Sequence, residues 1–136
     1  MIVLFTDFGA SGPYTGQMHG KLAALAPGIP IVDLVNDAPA CDVRAAAYLL
    51  PALVRAFPEE CVFLGIVDPG VGSDRAPIIV RADRRWYVGP DNGLFELVAR
   101  RSVDAVRVWT ITWRPQGLSA TFHGRDLFAP VAARLA

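Results

Sequence analysis

Three short apolar runs, each ending at a carboxylate-bearing loop and separated by helix-patterned segments, constrain this chain more than any other feature. Ile2 to Phe8 is apolar with β-branched members, and Gly9, Gly12 and Pro13 break it. Ile31 to Val35 is a second run, followed by the polar loop Asn36-Asp37-Ala38-Pro39. Cys61 to Val67 is apolar throughout, as in a parallel strand covered on both faces. Between the first two, Tyr14, Met18, Leu22 and Leu25 recur at helical spacing behind Pro13, which suits a first helical turn, and Pro27-Gly28 ends the helix. Between the second and third, Asp42 is placed to cap a helix running to about Phe57, with Val43, Ala46, Ala47, Leu50 and Val54 on one face. Pro51 predicts a kink or break in it. This β-α-β-α-β order predicts a three-layer α/β/α domain with a mostly parallel central sheet.

Beyond the third run, Pro77 to Arg81 and Trp86 to Val88 read as a hairpin around Asp83-Arg84. Pro90-Asp91-Asn92-Gly93 is a turn, Leu94 to Arg100 a short helix, and Ala105 to Ile111 a strand with Val106, Val108 and Thr110 on one face. From about Asp126 to Ala136 the chain reads as helical, interrupted at Pro130.

Length and composition narrow the class. Residues 1–136 make one domain, long enough to bury a core without disulfides or metal. With 53% hydrophobic and 19% charged residues the chain is not disordered, and so little charge predicts an apolar face covered by a partner or further domain. Thirteen basic and thirteen acidic side chains cancel, so no net field draws nucleic acid. The N-terminal apolar run stops at Asp7, too short for a signal peptide, and nothing approaches the roughly 18 apolar residues of a membrane span. Cys41 and Cys61 lack metal-ligand spacing and read as reduced thiols of a cytoplasmic protein.

In an open parallel sheet, ligands bind outside the carboxyl ends of the strands. That edge collects Asp7, Asn36-Asp37, Asp68 and Asp91-Asn92. Asp37 and Asp91 have a ready role as turn formers. Asp7 closes a buried strand rather than capping a helix, which favours a functional role. The loop from Val67 to Arg75 carries Gly70 and Gly72 but neither the lysine of a phosphate-binding loop nor the glycine spacing of a dinucleotide fold. Arg75 stands seven residues after Asp68, within reach across a curled loop. Thr121 to Asp126 is the other polar cluster, with His123 beside Gly124 and Asp126 placed to cap the last helix. The second histidine, His19, falls within the first helix, where a solvated or packed role suffices. Asp7, Asp68 and His123 would also suit Mg²⁺ or Mn²⁺, although no spacing requires it.

Taken together, Thr6 to Gly9, Tyr14 to Gln17, Val67 to Arg75, Pro90 to Gly93 and Thr121 to Pro130 resemble the S-adenosyl-L-methionine hydroxide adenosyltransferases, relatives of the fluorinase and chlorinase. The resemblance implies attack of water or hydroxide on C5′ of S-adenosylmethionine, releasing adenosine and methionine. It places the water-handling set on Asp68, Arg75 and His123, and puts Asp7 on the ribose hydroxyls. Tyr14, Asn36, Asn92 and Phe122 are the further substrate-binding candidates. The halogenating relatives carry tyrosine and serine where this chain has His123 and Gly124, so water is expected as nucleophile rather than halide, which a carboxylate would also repel.

The leaving sulfonium departs as a neutral thioether and needs no acid. Asp68 and His123 are suited to take a proton from water, and Arg75 to stabilise developing hydroxide. No metal or organic cofactor is expected. Family members carry a second, smaller β-rich domain after the last motif and assemble as homotrimers with the site between subunits. This chain ends at Ala136, so it is expected to be the N-terminal catalytic domain without that second domain. A non-catalytic nucleoside-binding module and a metal-dependent hydrolase are the alternatives.

Overall fold

The computed structural model describes all 136 residues. Six strands form one sheet: β1 (Ile2–Thr6), β2 (Ile31–Val35), β3 (Val62–Ile66), β4 (Pro77–Ala82), β5 (Arg85–Pro90) and β6 (Arg107–Thr110). Their order is β2-β1-β3-β5-β4-β6. The pairs β1–β2, β1–β3 and β3–β5 are parallel, whereas β4 runs antiparallel to both β5 and β6. Four helices complete the fold: α1 (Pro13–Leu25), α2 (Val43–Leu53), α3 (Glu96–Arg100) and α4 (Ala129–Leu135).

The strand pleat divides the core in two. Ile2 and Leu4 of β1, with Val62, Leu64 and Ile66 of β3, face Met18 and Leu22 of α1 and Phe128 and Ala132 at the C-terminus. Val3, Phe5 and Phe63 point the other way, onto Ala46 and Leu50 of α2 and Val98 of α3. The result is the expected helix–sheet–helix sandwich. Each of the large side chains buried here contributes about 1.5–3 kcal/mol.

Two glycines let α3 sit close. A Cβ on Gly65 would lie 2.7 Å from the Phe95 ring, and one on Gly89 would lie 2.9 Å from that ring and 2.2 Å from the Gly65 carbonyl oxygen. Phe95 therefore lies against bare backbone at the β3–β5 junction.

Local details depart from the sequence reading for identifiable reasons. Asp42 does cap α2, its carboxylate accepting from the Ala45 N–H at 2.9 Å. Pro51 does not break α2, because it stands in the last turn, where its ring withholds one donor, and the chain gives way to a 3₁₀ turn only at Val54–Ala56. The hairpin turn is Asp83-Arg84, with φ of 47° and 59°, the geometry that matches strand twist in a two-residue loop. The last helical segment starts earlier than expected, as a π turn over Gly124–Phe128. Pro130 falls in the first turn of α4, where it interrupts nothing. Asp126 lies inside that π turn and caps no helix. The face of β6 bearing Val108 and Thr110 is exposed, as is the whole strand.

The chain winds from β1 through α1 to β2, then through α2 on the opposite face to β3. The winding reverses between β1 and β3, which opens a crevice outside their carboxyl ends. No helix is long and apolar enough to cross a membrane.

Candidate active site

That crevice is a cleft of about 450 Å³, lined among others by Asp7, Phe8, Tyr14, Asp68, Phe122 and His123. Asp7 and Phe8 leave the end of β1, and Asp68 lies just beyond β3. Phe122 and His123 arrive from the segment that enters the π turn. Gly9, at φ 86°, turns the chain back after β1, and its N–H donates to the Asn36 carbonyl at 2.6 Å. The Ala38 N–H donates to the Thr6 carbonyl at 3.0 Å, so the loops after β1 and β2 are tied together.

Asp68, Arg75 and His123 form one connected unit. Arg75 Nε lies 3.0 Å from each Asp68 carboxylate oxygen, and its Nη2 also donates to Oδ2. The same Nη2 lies 3.0 Å from His123 Nδ1. The pair is nearly dry: the Arg75 side chain is 9% exposed and that of Asp68 5%. Its guanidinium also lies over the Phe128 ring, 5.2 Å from the centroid. Burial, and then the Arg75 charge, hold the His123 imidazole below its usual 6.5 against the opposing pull of Asp68, so it favours the neutral form. Arg75 does not line the cleft; it stands behind Asp68 and His123 and fixes both.

The loop carrying Asp68 and Arg75 is pressed against the strap leading to His123. A Cβ on Gly72, at φ 81°, would lie 2.6 Å from the Ala120 carbonyl oxygen, so glycine is required there on two counts.

Asp7 Oδ2 accepts the Cys41 N–H at 2.9 Å, and no side chain hydrogen-bonds its other oxygen. Phe8, Tyr14 and Phe122 meet edge to face, with centroids 5.1 to 6.1 Å apart, and make an apolar wall beside the carboxylates.

The other candidates lie elsewhere. Asn36 stays outside the cleft lining and contributes its backbone carbonyl to Gly9. Asn92 is also outside; its amide donates to the Val67 carbonyl at 2.8 Å while its oxygen accepts the Leu94 N–H at 3.2 Å, so both ends build the turn. Asp37 and Asp91 are exposed. His19 pairs with Asp33 at 2.8 Å on the surface. No group of three His, Cys, Asp or Glu side chains is arranged to hold a metal ion, so Asp7, Asp68 and His123 do not assemble one.

Gln17 and Arg125 also line the cleft; both fall within blocks that carry the resemblance, but neither is singled out there as a site residue. Arg125 donates to Gln17 Oε1 at 2.6 Å and to both oxygens of Asp126 at 2.6 and 2.9 Å, and lies 4.7 Å over the Phe122 ring. Asp126 also accepts the Ser119 N–H at 3.3 Å. The signal for this clamp was an arginine two residues after His123 and next to an aspartate, a pattern common on ordinary surfaces.

Comparison with known proteins identifies the family. Residues 2–136 match the SAM hydroxide adenosyltransferase N-terminal domain. An (R)-S-adenosyl-L-methionine hydrolase of Salinispora arenicola is 44% identical over 96% of this chain and 51% of its own length. One of Thermus thermophilus is 43% identical over 99% of this chain and 56% of its own length. The crystal structure of an uncharacterized conserved protein from Thermotoga maritima superposes with a TM-score of 0.94 at 36% identity, over 99% of this chain and 54% of that one. The chain thus spans about half the length of the curated relatives it matches. With a family match over nearly every residue and that identity, this chain belongs to the SAM hydroxide adenosyltransferases, as their N-terminal domain.

Proposed function

We propose that this domain carries the water-handling half of a site that hydrolyses S-adenosyl-L-methionine to adenosine and L-methionine. The observation that carries the reading is the buried Asp68–Arg75–His123 unit, set into a cleft at the sheet's switch point. Water oxygen bonds to C5′, the C5′–S bond breaks, and its electron pair stays on sulfur as neutral methionine thioether. Much of the acceleration comes from holding oxygen, carbon and sulfur in line. Asp7, tethered by Cys41, would accept the ribose hydroxyls, and the Phe8, Tyr14 and Phe122 wall would shelter C5′ from bulk water. The names of the longer relatives support the same substrate. Two free cysteines support a cytoplasmic setting, and the family resemblance supports a homotrimer.

Chromatography of S-adenosylmethionine incubated with this chain, alone and joined to the C-terminal half of a longer relative, tests the proposal. Equal adenosine and methionine from the joined form, lost on Asp68→Ala, are expected. Unchanged turnover in Asp68→Ala would sink the assignment, and loss of activity with chelator would point to a metal-dependent hydrolase. Intact S-adenosylmethionine together with adenosine binding would mark a nucleoside-binding module.

A further inference from the structure

We infer that His123 serves this site as a hydrogen-bond donor and not as a base, with Arg75 as the positioning residue that fixes its tautomer and Asp68 as the proton acceptor. A guanidinium has five N–H donors and no acceptor, and it stays protonated in proteins. Arg75 Nη2 lies 3.0 Å from His123 Nδ1. That contact is a hydrogen bond only if Nδ1 carries a lone pair, because a proton there would face an N–H across the same gap. A neutral ring with a bare Nδ1 carries its proton on Nε2. Nε2 lies on the other side of the ring, has no protein partner, and belongs to a residue that lines the cleft. The cleft is therefore offered an N–H.

The alternative, in which His123 accepts a proton at Nε2, creates an imidazolium beside a buried guanidinium. The same two causes that depress its protonation, burial and the Arg75 charge, oppose that step. Arg75 holds the histidine neutral in the way an electrophilic imidazole is held elsewhere by a fixed positive field. What it presents to an oxygen nucleophile is a donor that orients one lone pair, leaving another for C5′.

The released proton then needs another acceptor. Asp68 lines the cleft, and its Oδ1 keeps a lone pair beyond the one engaged by Arg75 Nε, whereas Oδ2 accepts from both Nε and Nη2. Under the hydrolysis reading, on which this part of the inference rests, water bonds to C5′, the S–C5′ electron pair leaves with sulfur, and the proton passes from water to the Asp68 carboxylate and on to solvent. The three residues divide the work by chemistry: acceptor, spacer and donor.

Nitrogen-15 NMR of the histidine rings in this chain reads the tautomer directly and needs no turnover. At pH 7.5, the expected His123 spectrum shows a pyridine-type Nδ1 and a pyrrole-type Nε2, with the His19 signals identified by their absence in His19→Gln. A pyrrole-type Nδ1, or full averaging at both nitrogens, overturns the inference. In Arg75→Met nothing at position 75 donates to Nδ1, so at least a several-fold shift of population towards the Nδ1–H form is expected. An unchanged tautomer in a folded Arg75→Met variant removes Arg75 from its assigned role. Because ring spectra are read without substrate, a failed tautomer and a failed hydrolysis assay are separate results.

Discussion

Two arginine–aspartate pairs flank His123, and they differ in nearly everything except their chemistry. Asp68 and Arg75 are seven residues apart, bidentate, and 5% and 9% exposed. Asp126 and Arg125 are neighbours in sequence, also bidentate, but 16% and 34% exposed. The first pair joins two separate segments through His123, whereas the second fastens one turn to Gln17 of α1. A buried pair gains little net stability over an apolar substitute but is costly to break, because the survivor is left charged and dry. An exposed pair is screened and gains little in either direction. The buried pair therefore fits a role in holding reactive groups at fixed distances, and the exposed one a role in bracing the rim.

The sharpest way to break this contrast is to remove one partner of the buried pair. Asp68→Ala should destabilise the domain by about 3–5 kcal/mol in a denaturant titration, since it strands Arg75. A loss under 1 kcal/mol would mean that water reaches the pair. Next, Gly72→Ala should cost about 1–3 kcal/mol in a thermal melt, from positive φ and the clash with Ala120, and should also shift the His123 ring signals as loop and strap separate.

The two pairs should also part company with pH. His123 is depressed below 6.5, by burial first and Arg75 second, among facing charges from Asp68, Arg75, Arg114 and Asp126. The unfolded chain takes up its proton at a higher pH than the folded one does. Stability is thus fully present above about 6.5 and falls as pH drops from there through the folded value. Asp126 is held below its usual 3.8 by the hydrogen bonds from Arg125 and then Ser119, against its partial burial. Its contribution is complete above 3.8 and lost only below that, so stability followed from pH 8 to 2 should show two separate declines. The smallest effect belongs to Arg125→Ala, which should move the melting midpoint less than either earlier variant while loosening Phe122.

The same contrast marks what was legible beforehand. The seven-residue interval between Asp68 and Arg75 was readable because two glycines make a loop that curls. The carboxyl-edge position of Asp7 and Asp68 was readable because apolar runs end there. Asn92 was not, because an asparagine in a turn shows its side chain's destination only when the neighbouring Val67 carbonyl is in place. The π turn was not readable either: Gly124 to Phe128 carries no periodicity that separates it from an ordinary helix start. The tautomer of His123 lay furthest out of reach, since it depends on which nitrogen meets a residue 48 positions away.

The glycines under Phe95 carry a consequence for how this sequence is free to change. Gly65 is blocked only by side chains, Phe95 and Leu94, while Gly89 is blocked by the backbone of Gly65 itself. A library varying positions 65, 89 and 95 together should yield Gly65→Ala in company with a smaller residue at 95, a compensated pair. Position 89 should return glycine in every background, because no second change elsewhere moves a carbonyl that the β3–β5 ladder holds in place.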